Sequence, residues 1–327
     1  VNETGPAIGR GLAAMNEQLA DAGYALGWRA VRAMPAGLAH RLFRAGADLA
    51  VSRGGDGPRQ LRANLARVLR HAGAEPTEAE LDRLTAEGLR SYARYWCEAF
   101  RLPALDPVAL HDRVDPAAAG VEHLHRALDR GQGVVAALTH SGNWDVAGVW
   151  LVQALRRLGR PAKLVTVAER LRPASLFDRF VAYRESLGFE VLPADGGARM
   201  VATLAARLRE NQVVCLVADR EMGNGGVEVD FCGEPARFPG GPAQLAKRTG
   251  AALLPFAGWF TEDGWGLRFH PPIEVPDGPT GPVVRVATQA LAEVFAADLA
   301  AHPADWHMLQ PIWSADRDRR AAPAVAG

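Results

Sequence analysis

Two short stretches of this sequence carry the residue types that proton transfer needs. His140-Ser-Gly-Asn-Trp-Asp145 follows the apolar run Val134–Thr139, and Asp219-Arg220-Glu221 follows Val213–Ala218. A histidine can take the proton from a hydroxyl, while a carboxylate close by orients the imidazole and steadies its positive form. His140 with Asp145 five residues on, across a strand-to-helix turn, has that composition. Gly142 lets the chain turn tightly, and the helix N-terminus that follows can help stabilise developing negative charge. In a chain with nine histidines the spacing H-x4-D is a weak signal by itself. Its place between a buried strand and a helix raises its value, against the plainer reading of a structural histidine at a sheet edge.

Such residues need a frame. After about residue 120, short β-branched runs alternate with helical periodicity. Val134–Thr139, Leu164–Val167, Phe189–Leu192, Val213–Val217, Val227–Phe231, Ala252–Phe260 and Trp265–His270 read as strands. Asn143–Leu158, Ser175–Leu187, Ala198–Glu210, Pro242–Thr249 and Val284–His302 read as helices. This alternation predicts an α/β fold, a mostly parallel central sheet with helices on both faces. Ligands of such sheets bind outside the carboxyl ends of the strands, where both titratable stretches fall.

Residues 1–110 read as a helical region added to that core. Tyr24, Leu26, Trp28, Val31, Met34, Leu38, Leu42, Phe43 and Leu49 are interleaved with Arg29, Arg32, Arg41, Arg44 and Arg53. Pro35 divides them into two amphipathic pieces, because proline ends or opens a helix. After the turn-rich Arg53-Gly-Gly-Asp-Gly-Pro58 comes the helix Gln60–His71. Thr77 and Glu80 then stand in capping-box spacing, and the aromatic stretch Tyr92–Phe100 continues the helical region. The amphipathic pieces either pack on the core or place Trp28, Phe43 and the arginines in the interface of an anionic membrane. No internal repeat is visible. One domain is expected over 1–327, with residues 120–313 as the α/β core.

Composition sets the outer bounds. The 327 residues hold 37 Lys+Arg against 37 Asp+Glu, and 48% are hydrophobic. Wholesale disorder is excluded, and the lack of a basic excess argues against nucleic acid as a partner. Lys163 and Lys247 are the only lysines, an arginine bias read mainly as compositional. Cys97, Cys215 and Cys232 show no CxxC spacing and are expected as free thiols in a reducing cytoplasm. His123 and His125 lie two apart in a helical stretch and point away from one another, so no metal is expected. Ser141 lacks a G-x-S-x-G elbow, and Gly223–Gly226 is not a dinucleotide fingerprint. No signal peptide is evident, and the longest uncharged stretches, Val146–Leu155 and Thr249–Thr261, are too short to span a bilayer.

The motif also resembles a family. His140-x4-Asp145 is similar to the signature of the glycerolipid and lipid A acyltransferase superfamily, whose members transfer acyl chains to hydroxyls. Longer blocks narrow the likeness: Thr139–Gly148, Thr166–Leu171, Tyr183–Pro193, Gly226–Phe231 and His302–Pro311. With Tyr24–Pro35 they resemble the actinobacterial phosphatidylinositol mannoside acyltransferases over nearly the whole chain. No EGTR-like block is present, which argues against a glycerol phosphate acceptor.

That resemblance implies a palmitoyl-CoA donor as co-substrate, with no other cofactor. It implies a mannose 6-hydroxyl of phosphatidylinositol mono- or dimannoside as acceptor. It also implies peripheral attachment to the cytoplasmic face, the inner leaflet, of the plasma membrane. Carried over, His140 is the base, Asp145 the fixed carboxylate of the motif, and Asp219 the group that relays charge to the histidine. Glu169 and Arg184 fall on sensitive positions, with Arg184 placed near the donor's phosphates. The chain reads Ala-Asp219-Arg-Glu221 where the family form has Glu first and Asp last, so either carboxylate could contact His140. Acylation of another glycolipid, as in lipid A-type secondary acylation, is the alternative within this chemistry. A non-catalytic lipid-binding membrane protein is the alternative outside it.

Overall fold

The structure is a computed structural model that describes residues 23, 26–169, 174–194, 197–221 and 225–321. Tyr24, Arg170 and Arg172 lie outside the described residues.

The expected α/β architecture is present. Its strands are β1 (Ala118–Ala119), β2 (Val134–Leu138), β3 (Leu164–Ala168), β4 (Phe189–Pro193), β5 (Val213–Val217), β6 (Val227–Phe231), β7 (Glu234–Phe238), β8 (Ala252–Phe260) and β9 (Trp265–Phe269). Seven of them form one sheet in the order β1-β9-β8-β2-β5-β3-β4. All neighbours in it pair in parallel except β8 and β9, which form an antiparallel hairpin.

The centre of the sheet explains its own sequence. Every residue of β2 is buried, because helices cover both faces. Val135 and Ala137 enter one core with α3 (Asp56–His71), α9 (Ala198–Arg209), α10 (Gly241–Thr249) and α11 (Thr280–Ala301). Val134, Ala136 and Leu138 enter the other with α5 (Pro107–Val114), α6 (Val121–Asp129), α7 (Trp144–Arg157) and α8 (Ala174–Ser186).

The expected strand β6 lies outside the main sheet. It pairs with β7, a strand that its charges and proline concealed. Cys232 and Gly233 join them with φ of 55° and 80°, the backbone of a tight hairpin turn. His123 and His125 lie on α6 and are half-buried.

The N-terminal helices are α1 (26–33), α2 (Ala36–Arg53), α3 and α4 (Glu78–Arg101). Thr77 and Glu80 close the predicted capping box at the start of α4. The Arg101 guanidinium donates to the carbonyls of Val31 and Met34, satisfying the end of α1 that Pro35 interrupts. Trp28 faces the protein. Its indole N–H donates to the Phe100 carbonyl over 3.0 Å, and its ring packs on Phe100, Phe180 and Tyr183. Phe43 is half-buried beside Phe100. Leu38, Leu42 and Leu49 on α2 remain exposed, flanked by the exposed Arg41 and Arg44. Among the described residues, no helix is long and apolar enough to cross a membrane.

Candidate active site

Strand register brings the two titratable stretches together. β2 and β5 pair with Leu138 opposite Val217, so His140 and Asp219, each two residues further on, leave the sheet side by side. His140 Nδ1 and Asp219 Oδ1 lie 2.6 Å apart. The backbone N–H of His140 donates to Asp219 Oδ2 over 2.9 Å, and the Trp306 indole N–H donates to the same oxygen over 2.9 Å. Of the two carboxylates left open by the sequence, Asp219 is the one that meets the imidazole.

Asp219 is fully buried, whereas the His140 side chain is 28% exposed. Burial pushes the carboxyl pKa up, but His140 and the hydrogen bonds from its ring, its backbone and Trp306 outweigh this, so the net shift is down. An ionised carboxylate only accepts hydrogen bonds, so His140 Nδ1 is the donor to it, and the tautomer that matches this bond carries its lone pair on Nε2. In that tautomer Nε2 is the nitrogen free to accept a proton at the carboxyl end of the sheet, a geometry compatible with general-base chemistry.

The turn that carries His140 is held at each residue. Gly142 has φ of 59°, and a Cβ there would sit 2.7 Å from the Gly258 carbonyl group, so the turn needs glycine. Its N–H donates to the Asp305 carbonyl. Ser141 Oγ and Thr139 Oγ1 bond to each other over 2.7 Å on the buried side. Asn143 caps α7, its side chain accepting from the Val146 N–H and donating to the buried Glu98.

Asp145 is placed differently from the sequence expectation of a carboxylate serving His140. It is 1% exposed and accepts from Arg184 Nε over 2.9 Å and from the Tyr95 hydroxyl over 3.0 Å. Arg184, expected near the donor's phosphates, turns its guanidinium inward to this carboxylate. Burial disfavours its charge, but Asp145 beside it more than compensates and raises the arginine pKa. The pair ties α7 to α8, with Tyr95 adding α4. Glu169, just past the end of β3, is an exposed carboxylate 3.5 Å from Arg220, the residue that follows Asp219.

Several neighbours of His140 escaped sequence reasoning. The Trp144 ring stands nearly perpendicular to the imidazole with centroids 5.9 Å apart, and Tyr95 packs against Trp144 at 4.0 Å. His307 lies among Tyr92, Tyr95, Trp144 and Phe260, its Nε2 2.9 Å from Ser91 Oγ. Burial pushes its pKa down to about 3, which keeps it neutral. The block His302–Pro311, one of the segments that carry the family resemblance, gave the only signal for Trp306 and His307. Among the described residues, no three His, Cys, Asp or Glu side chains cluster to hold a metal ion.

Known proteins are similar to this chain over most of its length. The family model described as "Bacterial lipid A biosynthesis acyltransferase" matches residues 15–315. A protein of Mycolicibacterium smegmatis named "Phosphatidylinositol mannoside acyltransferase" is 53% identical over 307 residues, covering 93% of this chain and 95% of its own. One of the same name from Mycobacterium tuberculosis is 52% identical over 304 residues, covering 92% of this chain and 91% of its own.

Proposed function

We propose a specific reaction for this chain, which belongs to the bacterial lipid A biosynthesis acyltransferase family and is an O-acyltransferase. It moves a palmitoyl group from palmitoyl-CoA to the mannose 6-hydroxyl of phosphatidylinositol mono- or dimannoside. The relatives' names support a phosphatidylinositol mannoside as acceptor, and the observation that carries the chemistry is the His140–Asp219 pair, 2.6 Å apart where two central parallel strands end.

In this mechanism His140 Nε2 takes the proton of the mannose hydroxyl as its oxygen attacks the thioester carbonyl. Asp219, accepting from Nδ1, stabilises the imidazolium that forms. The tetrahedral intermediate collapses with loss of the coenzyme A thiolate, and the imidazolium returns the proton to that sulfur. One ester forms, one thioester breaks, and no acyl-enzyme intervenes. Ser141 supports this direct transfer, because its hydroxyl is turned to Thr139. Asp145 and Arg184 act as the frame that fixes α7 under the reacting histidine. Glu169 and Arg220 stand at the rim, where the donor or acceptor headgroup passes.

The acceptor is a lipid, and the surface of α2 suits an enzyme that meets it at the inner leaflet. Leu38, Leu42 and Leu49 offer exposed apolar area, and Arg41 and Arg44 flank it, the mixture that binds anionic bilayers. The test is release of free thiol from palmitoyl-CoA with and without mannosylated phosphatidylinositol, followed by mass spectrometry of the product. Thiol release that requires the acceptor, with a monoacylated mannoside as product, supports the reading. Transfer only to a different glycolipid would replace the acceptor, and absence of any transfer would leave a lipid-binding protein.

A further inference from the structure

We propose that Trp306 is a positioning residue of the transfer reaction, its indole N–H fixing which oxygen of Asp219 serves His140. Asp219 is fully buried, so each of its two oxygens must find a donor inside the protein. Oδ2 receives both the Trp306 indole N–H and the His140 backbone N–H, each at 2.9 Å. Oδ1 is thereby left to the His140 ring at 2.6 Å. With the indole donor gone, Oδ2 loses one of its two partners, and the carboxylate is less firmly held in that orientation.

The tryptophan is itself held fast. It is fully buried, edge-to-face with Phe231 and Trp313 at 6.2 Å each. Its backbone bridges to Ser141. On either side, the Asp305 carbonyl accepts from the Gly142 N–H, and the His307 N–H donates to the His140 carbonyl over 2.8 Å. Three consecutive residues from the C-terminal part of the chain therefore grip the three residues of the His140 turn. This places the His302–Pro311 block in the active site through its contacts with the base and the base's partner.

Loss of the donor has a signed effect on pH dependence. In the proposed reaction the pair works in the form carrying a neutral ring and an ionised carboxylate. The Trp306 N–H stabilises that anionic form. The titratable and charged groups on the elements packed against the pair include His307, kept neutral by burial, Asp305, whose buried carboxyl accepts from Ser91 and the Phe260 N–H, and Arg220, which faces Glu169. Without the indole N–H the pair accepts a proton at higher pH, and the acidic limb of the rate profile moves upward.

The experiment compares Trp306→Phe with Trp313→Phe in the full chain. Trp313 sits in the same aromatic cluster, but its N–H goes to the Phe231 carbonyl at 2.8 Å. For Trp306→Phe, kcat is expected to fall on the order of tenfold and the acidic limb of kcat to rise by about one pH unit, with the acyl-CoA KM unchanged. Trp313→Phe is expected to lower the melting temperature and leave that limb in place. If Trp306→Phe does not fold, site-specific benzothienylalanine at 306, which replaces N–H by sulfur in the same ring shape, carries the same expectation. A wild-type acidic limb in either 306 variant overturns the proposal. The inference rests on His140 as base, and His140→Ala separates the two: full turnover there removes the base itself, whereas an inactive His140→Ala beside an unmoved Trp306 limb removes only the role of Trp306.

Discussion

Arg184 Nε donates to the Asp145 carboxylate over 2.9 Å, and both side chains are withdrawn from water, at 16% and 1% exposure. The aspartate of the H-x4-D spacing thus locks α7 against α8 and leaves the imidazole to Asp219.

Breaking one half of a buried ion pair strands the other charge, which typically costs about 3–5 kcal/mol. Arg184→Met is therefore expected to lose stability on that scale in urea unfolding. Asp145→Leu combined with Arg184→Met is expected to regain much of it, because neither charge is left alone. An Arg184→Met protein as stable as wild type, with only a weakened acyl-CoA KM, would return Arg184 to the donor's phosphates.

Asp219→Asn keeps the size of the side chain but can present an amide N–H to His140 Nδ1, favouring the wrong tautomer. In a serine protease, the same change beside the catalytic histidine costs on the order of 10⁴-fold in kcat. A loss of about 10³–10⁴-fold is expected for this chain on the same grounds, with the acyl-CoA KM little changed. Steady-state kinetics at saturating acceptor decides it; a loss confined to KM would show that Asp219 shapes binding instead.

The buried His307 gives stability its own pH dependence. Burial holds its folded pKa down to about 3, from an ordinary value of 6.5. Below pH 6.5 the unfolded chain binds a proton that the folded chain refuses, so this contribution is lost as pH falls from about 6.5 toward 3. By pH 5 the loss is about 2 kcal/mol. Urea unfolding at about pH 7.5 and about pH 5 is expected to show a smaller drop in His307→Phe than in wild type. Equal drops would contradict a neutral, buried His307.

If α2 meets the bilayer, its arginines work as a pair with the leucines beside them. Each arginine near an anionic surface contributes about 1 kcal/mol. Reversing Arg41 and Arg44 to Glu is expected to weaken binding to phosphatidylinositol-containing vesicles by about 30-fold or more, with helical content unchanged. Sedimentation with anionic and neutral vesicles measures it, and undiminished binding to the anionic ones would place the contact elsewhere.

The central strands were legible because burial on both faces makes β2 an unbroken apolar run, and His140 stands out as the polar residue that ends it. Asp219 was legible as the end of a second such run, but its choice over Glu221 depends on the β2–β5 register, which no local pattern encodes. Arg184, which bonds Asp145, lies 39 residues from it, and Trp306, which bonds Asp219, lies 87 residues from it. Such pairings arise from the three-dimensional crossing of elements, beyond the reach of periodicity. β7 was hidden by Glu234 and Pro235, residues an edge hairpin tolerates and a central strand does not. Trp28 matched a membrane-facing pattern, yet its ring found partners in α4 and α8.

The decisive measurement is the turnover of His140→Ala. Acyl transfer is followed as acceptor-dependent thiol release from palmitoyl-CoA, alongside a melting curve. With His140 as the base, transfer falls to background in a protein that melts as wild type does. Near-wild-type transfer from a folded His140→Ala protein would contradict that role.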